Sequence, residues 1–181
     1  MRRNILAILA ACAAVTICGQ AQAQAPAQPP GPPATVPDQM PFDIPYGNSI
    51  TADRAAEVVK AVLAEATKSP RNWKLAISVV DTHGELVYFH KMDNTQQGSV
   101  TISQSKARTA ARFRRPTQIF NNVMQTPAGA YIATLDTPPP NGSPGGFPLV
   151  VGGKIIGAVG CSGATGDQDA VACKAGAESV K

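Results

Sequence analysis

Histidine is scarce in this chain: His83 and His90 are the only two. A two- or three-histidine zinc centre is therefore excluded, and no metal site is expected. Charge is equally thin. Charged residues make up 15% of the sequence and the formal net charge is +4, which gives no case for a nucleic-acid partner. The long apolar run, Ile5 to Cys18, is shorter than the roughly 20 residues a membrane-spanning helix needs. Of four cysteines, none falls in a C-x-x-C spacing. The glycine-rich stretch near the carboxyl end contains neither G-x-G-x-x-G nor G-K-[ST], so dinucleotide and P-loop sites are excluded as well.

What is present begins with a targeting signal. Arg2 and Arg3 precede the apolar run, and the small-residue site Ala21-Gln22-Ala23 follows it. This predicts a secretory signal peptide over residues 1–23, hence a periplasmic or secreted protein with no membrane contact after cleavage. The arginine pair serves as the charged leader region and also fits twin-arginine export. Cleavage would remove two arginines and no acids, leaving 14 − 12 = +2 from the 16 basic and 12 acidic residues. It would also leave Cys161 and Cys173 as the only thiols. Two cysteines in an exported protein are a natural disulfide pair, worth about 3 kcal/mol for so short a loop in the chain-entropy view. A dithiol redox or metal site is the less favoured alternative.

Residues 24–48 hold eight of the 16 prolines and predict an extended, disordered linker. The remainder, 49–181, is long enough for one domain with a core. Thr51 caps a predicted helix to about Lys68. Strands follow at Trp73–Val80 and Glu85–Met92, joined by the turn Asp81-Thr82-His83-Gly84. A helix over Ser99–Phe113, capped by Ser99, precedes a shorter one opened by Pro116. Residues 125–146 read as a long loop with a short strand at Tyr131–Leu135. Gly152-Gly153 predicts a tight hairpin between apolar runs, then a glycine-rich turn, then a last helix opened by Asp167. Helices and adjacent hairpins without βαβ alternation indicate an α+β fold.

The chemistry centres on Lys106. On the helical wheel of Ser99–Phe113, Arg108, Arg112 and Arg115 gather on the solvated side. Lys106 lies opposite, among Ile102, Ala110 and Phe113. A lysine on an apolar face snorkels, pairs with a carboxylate, or lines a pocket. Asp81 and Asp93, at the two ends of the second strand, either cap turns or provide that carboxylate. Ser103 and Lys106 match S-x-x-K, but the chain lacks the K-T-G strand of serine acyl enzymes. His83 reads as a solvated turn residue. His90, on the strand face shared with Leu86 and Tyr88, is the candidate haem ligand, since one neutral imidazole suffices for iron. The backbone amides of the glycine stretch either hold a carboxylate or propionate or serve only tight packing.

Three segments carry a resemblance: ISVVDTHGELVYFHKMD (77–93), SKARTAARF (105–113) and GGFPLVVGGKIIGAVGCSGATGDQD (145–169). Together they resemble the GlcG/HbpS-like haem-binding family, a domain also fused to some cobalamin adenosyltransferases. The resemblance implies a profilin-like antiparallel five-stranded sheet flanked by helices, usually in homo-oligomers. It also implies binding of haem or another small organic ligand, in some members with iron release. Asp81, Asp93, Lys106, Gly145, Gly146 and Gly163 match motif positions and are expected to shape the ligand site. His83 stands where the family usually has a small residue, and Asn94 where it has glycine. The expected function is an exported small-molecule binder, for haem or a related ligand, assisting haem or iron handling. The alternative is an enzyme acting on an organic acid or hydroxy-carbonyl compound through Lys106 and a carboxylate. Both readings require Lys106 and the glycine bends to border one cavity.

Overall fold

The structure, a computed structural model, describes residues 42–68 and 70–180. The predicted signal and the linker up to residue 41 lie outside the described residues. Helix α1 (Ala52–Ala66) starts where Thr51 accepts a hydrogen bond from the Arg54 amide, and it buries Ala55, Val58, Val59, Val62 and Ala66. That spacing is one continuous helical face. Strands β1 (Ala76–Val80) and β2 (Leu86–Lys91) form an antiparallel hairpin. Helix α2 (Ser99–Phe113), the short α3 (Gln118–Met124) and a 3₁₀ helix (Gly129–Thr134) follow. Strands β3 (Gly146–Val151) and β4 (Lys154–Ser162), joined by the positive-φ pair Gly152-Gly153, lead into α4 (Gly166–Glu178).

The sheet order is β2-β1-β4-β3, antiparallel throughout. The inner strands β1 and β4 are covered on both faces, which is why their sequences run apolar without polar alternation. Ile77, Val79, Val159 and Cys161 join the larger core with α1 and α4. Val80 and Ala158 pack on the opposite side against Ala107, Ala110 and Ala111 of α2. The domain is thus a three-layer sandwich: α2, the sheet, then α1 with α4.

Among the described residues the sheet has four strands where the resemblance implies five. At the start of β4, short of the residues that pair with β1, residues 45–50 run alongside it. Gly47 donates to the Ile155 carbonyl, Ile155 donates to the Pro45 carbonyl, and Ile50 donates to the Ile156 carbonyl. Pro45 has no N–H to give, so pairing shrinks to a single parallel bridge, Tyr46 to Ile155. Residues 45–48 belong to the composition-predicted linker, yet they run along the domain. Arg115 stacks on Phe42 at 4.1 Å and the Tyr46 hydroxyl donates to the Ala111 carbonyl at 2.9 Å.

Other boundaries shift for local reasons. The predicted strand at 131–135 is the 3₁₀ helix, and β1 begins at Ala76 rather than Trp73. Pro116 precedes the Thr117 cap of α3 instead of opening the helix. Gly98, not Ser99, caps α2; Ser99 is buried and accepts a hydrogen bond from the Ser162 hydroxyl. Gly98 sits at φ −59°, and a methyl group there meets nothing within 4 Å. Gly98→Ala is therefore expected to stabilise the domain by about 0.4–1 kcal/mol, through reduced unfolded-state entropy. Urea titration of the two proteins checks the sign.

Candidate functional site

Lys106 faces the sheet and is 1% exposed. Its ammonium donates to the Cys161 carbonyl at 2.9 Å and to Asp169 Oδ2 at 2.8 Å. Asp169, on α4 and 2% exposed, also accepts from the Ala164 amide through Oδ1 at 3.0 Å. The pair joins helices from the two outer layers past the start of β3. Gly145, at φ +114°, makes this passage: a Cβ there would lie 2.9 Å from Asp169 Cβ and 3.2 Å from Lys106 Nζ. Burial pushes the Lys106 amine down and the Asp169 carboxyl up, and their hydrogen bond opposes both shifts.

The lysine and the Gly145 bend therefore meet, but they border a sealed ion pair rather than a hollow. Lys106 takes its carboxylate from Asp169, not from Asp81 or Asp93. The cavity that both the binding and the enzyme readings placed at Lys106 is thus not found there, since the ammonium is buried against Asp169. Ser103 is likewise engaged, 2.8 Å from the Ser78 hydroxyl. Gly157 and Gly160 lie inside β4, the second arm of the expected hairpin, and Thr165 with Gln168 forms the capping box of α4, not Asp167. Gly146 serves packing, since a Cβ there would meet the Lys106 carbonyl oxygen at 2.5 Å. Gly163 crowds the Lys74 carbonyl. Cys161 and Cys173 are joined by a disulfide, Cα–Cα 5.6 Å, which ties β4 to α4.

An open site lies at the β1–β2 turn. A cleft of about 670 Å³ is lined by Tyr46, Gly47, Thr82, His83, Glu85 and Arg112. Asp81 shapes it: its Oδ1 accepts from the His83 amide at 2.8 Å and the Glu85 amide at 2.9 Å. This Asx-type turn throws the His83 side chain outward, 82% exposed. His83 Nδ1 faces Thr82 Oγ1 at 3.5 Å and Asp81 Oδ2 at 3.7 Å. Asp81 thus sets the path of the turn through the backbone amides, and the His83 ring projects from it. Burial raises the Tyr46 phenol pKa, against the opposing pull of Arg114 and Arg112.

A second groove of about 260 Å³ shares Glu85 with the first and adds Leu86, Gln104, Ser105, Arg108 and Pro138. Arg108 and Arg112 of the expected solvated row thus form cleft walls, whereas Arg115 stacks on Phe42. Asp93 is exposed beyond the end of β2. His90 is half-buried opposite Ile77 and lines none of the clefts described here. A bulge at Val87 puts Leu86 opposite Val80 while Tyr88 stays opposite Val79, so His90 does not share a face with Leu86. Among the described residues no three His, Cys, Asp or Glu side chains converge on a metal position. No helix there is long and apolar enough to cross a membrane.

A four-stranded antiparallel sheet between one helix and a helix pair, with a cleft at its first hairpin turn, defines a small α+β sandwich. Residues 50–178 match the family described as haem degrading protein HbpS-like, and the chain belongs to that family. Protein GlcG of Escherichia coli strain K12 is 39% identical over 113 residues, covering 62% of this chain and 81% of GlcG. The crystal structure of Klebsiella pneumoniae protein ORFY superposes with a TM-score of 0.68 at 25% identity, covering 80% of this chain and 96% of ORFY. The structure described as a PduOC:heme complex gives 0.65 at 21% identity, covering 74% and 96%, and so shares the fold.

Proposed function

We propose that this protein is an exported haem-binding module whose ligand sits in the cleft at the β1–β2 turn. The observation that carries the reading is His83, an outward imidazole in a 670 Å³ cleft beside the Arg112 guanidinium. The donor set fits haem: one imidazole for iron, guanidinium groups for propionates, and the Tyr46 ring with Leu86 and Pro138 as apolar surface. Membership in the HbpS-like family and the haem-bound structural neighbour support it. Bound haem would supply the redox-active iron; His83 would hold it and Asp81 would set the turn that carries His83. Export rests on the predicted signal over residues 1–23. Self-association into a homo-oligomer, and assistance in iron handling, rest on the family resemblance.

Haemin titration tests the ligand assignment. The wild-type protein is expected to give a saturable Soret shift at micromolar haemin. His83→Ala should weaken binding by tenfold or more, on the order of one lost metal-ligand contact. His90→Ala should leave it unchanged. A His83→Ala protein with the wild-type Soret spectrum and affinity would remove His83, and loss of binding in His90→Ala alone would move the site to the other imidazole.

A further inference from the structure

We infer that Arg108 and Arg112 form a carboxylate-recognition pair that the chain keeps occupied with its own Asp136 and Thr137 until ligand arrives. The inference rests on the haem reading and names how the organic anion is held. Arg108 and Arg112 are one helical turn apart on α2, so their side chains project side by side. Gly84 of the β1–β2 turn lies on both stems: a Cβ there would be 3.0 Å from Arg108 Cγ and 3.3 Å from Arg112 Cδ. One cleft opens beside each arginine.

Both guanidinium groups are met by the same loop. Arg112 Nη1 pairs with Asp136 Oδ2 at 2.8 Å, and Arg108 Nη2 donates to the Thr137 carbonyl at 3.3 Å. The match is incomplete, because Arg108 Nε is buried with no acceptor. A planar guanidinium is best satisfied by a bidentate carboxylate, and a single long bond to a carbonyl leaves that capacity unused. Asp136 is itself shielded, 14% exposed at its side chain, whereas Arg112 is 37% exposed. The loop thus presents one carboxylate and one carbonyl to two guanidinium groups that a dicarboxylate would fill better. A porphyrin's two propionates are such a ligand; they would displace Asp136 and Thr137 and take both arginines.

Titrations with haemin, metal-free protoporphyrin IX and protoporphyrin IX dimethyl ester test this. Asp136→Asn should bind haemin and protoporphyrin IX about threefold more tightly, the scale of a half-exposed ion pair removed from competition. The paired substitution Arg108→Gln with Arg112→Gln should weaken both by tenfold or more, with its melting transition retained as a fold control. The dimethyl ester, whose carboxyl groups are blocked, should respond to neither change. Unchanged or weaker binding in Asp136→Asn, or an ester that follows the acid, overturns the inference. Metal-free porphyrin that keeps its arginine dependence while His83→Ala leaves haemin unaffected overturns only the iron-ligand assignment. Binding of none of the three overturns both.

Discussion

Asp169→Asn is expected to destabilise the domain by about 3–5 kcal/mol at neutral pH, the usual result of stranding one member of a buried ion pair. Lys106 would then lose the carboxylate charge and face only neutral acceptors, the Cys161 carbonyl among them, in a place water does not reach. The deficit has a pH signature. Burial already holds the Lys106 amine below its ordinary pKa, and Asp169 works against that shift. Without the carboxylate the amine falls further. A lysine that is less basic folded than unfolded favours the unfolded chain as pH drops, because the unfolded chain takes up the proton more readily. The stability lost in Asp169→Asn should therefore shrink as pH rises from 7 toward the ordinary lysine pKa of about 10.4, because the folded amine, already less basic, sheds its proton in both proteins before the unfolded chain does. Urea denaturation of wild type and variant across that range reads the difference directly. A deficit that is constant or grows with pH would mean that the amine is not the stranded group.

The paired replacement Lys106→Met with Asp169→Leu sharpens the argument. It removes two desolvated charges together and should cost far less than either single change. Burial moves both ionisations toward the neutral forms, so the pair gains no clear stability from being charged. Its contribution is geometric: it fixes α2 and α4 to one another across the end of the sheet.

Part of this arrangement is legible in the sequence. The wheel of Ser99–Phe113 isolates Lys106 because one cationic residue falls among apolar ones, but that spacing alone does not separate a snorkelling lysine from a buried, paired one. Its partner is 63 positions away, at the start of a helix where acids ordinarily meet solvent and the helix dipole. The available signal was Thr165-x-x-Gln168, a capping box that starts α4 one residue before Asp167. It thereby turns Asp169 onto the face shared with Ala172, Cys173 and Gly176. The hairpin at Gly152-Gly153 is readable because its turn chemistry is local. The bulge at Val87 is not, because it depends on the pairing register with β1. That register decides which residues of β2 face each layer, and it separates His90 from Leu86. The cleft at His83 is hidden for a similar reason. Two of its walls, Tyr46 and Arg112, come from segments that only the folded chain brings to the turn.

Gly160→Val is expected to destabilise by about 3 kcal/mol, at the upper end of ordinary overpacking. Gly160 is in the middle of β4, where a strand residue with a side chain would normally be favoured. It stands instead under the middle of α2. A Cβ there would overlap the Ser103 carbonyl oxygen, lie 2.5 Å from the Ala107 amide nitrogen and 3.0 Å from its Cβ. Two of these three obstacles are helix backbone, which no rotamer change can clear. The surrounding contacts are just as close: Ser78 meets Ser103 at 2.8 Å, Ser162 meets Ser99 at 3.2 Å, and Ala107 and Ala110 are wholly buried. Small residues on both surfaces let the helix lie directly on the sheet, and one added side chain must lift it. Lifting α2 would also disturb Lys106 within its ion pair and move Arg108 and Arg112 relative to the His83 turn. Stability and ligand affinity should therefore fall together in Gly160→Val, whereas Asp136→Asn should alter affinity with little change in melting temperature. Thermal melts paired with haemin titrations of the two variants distinguish these outcomes. A Gly160→Val protein that melts like wild type would show that the contact between α2 and β4 is looser than its atoms indicate.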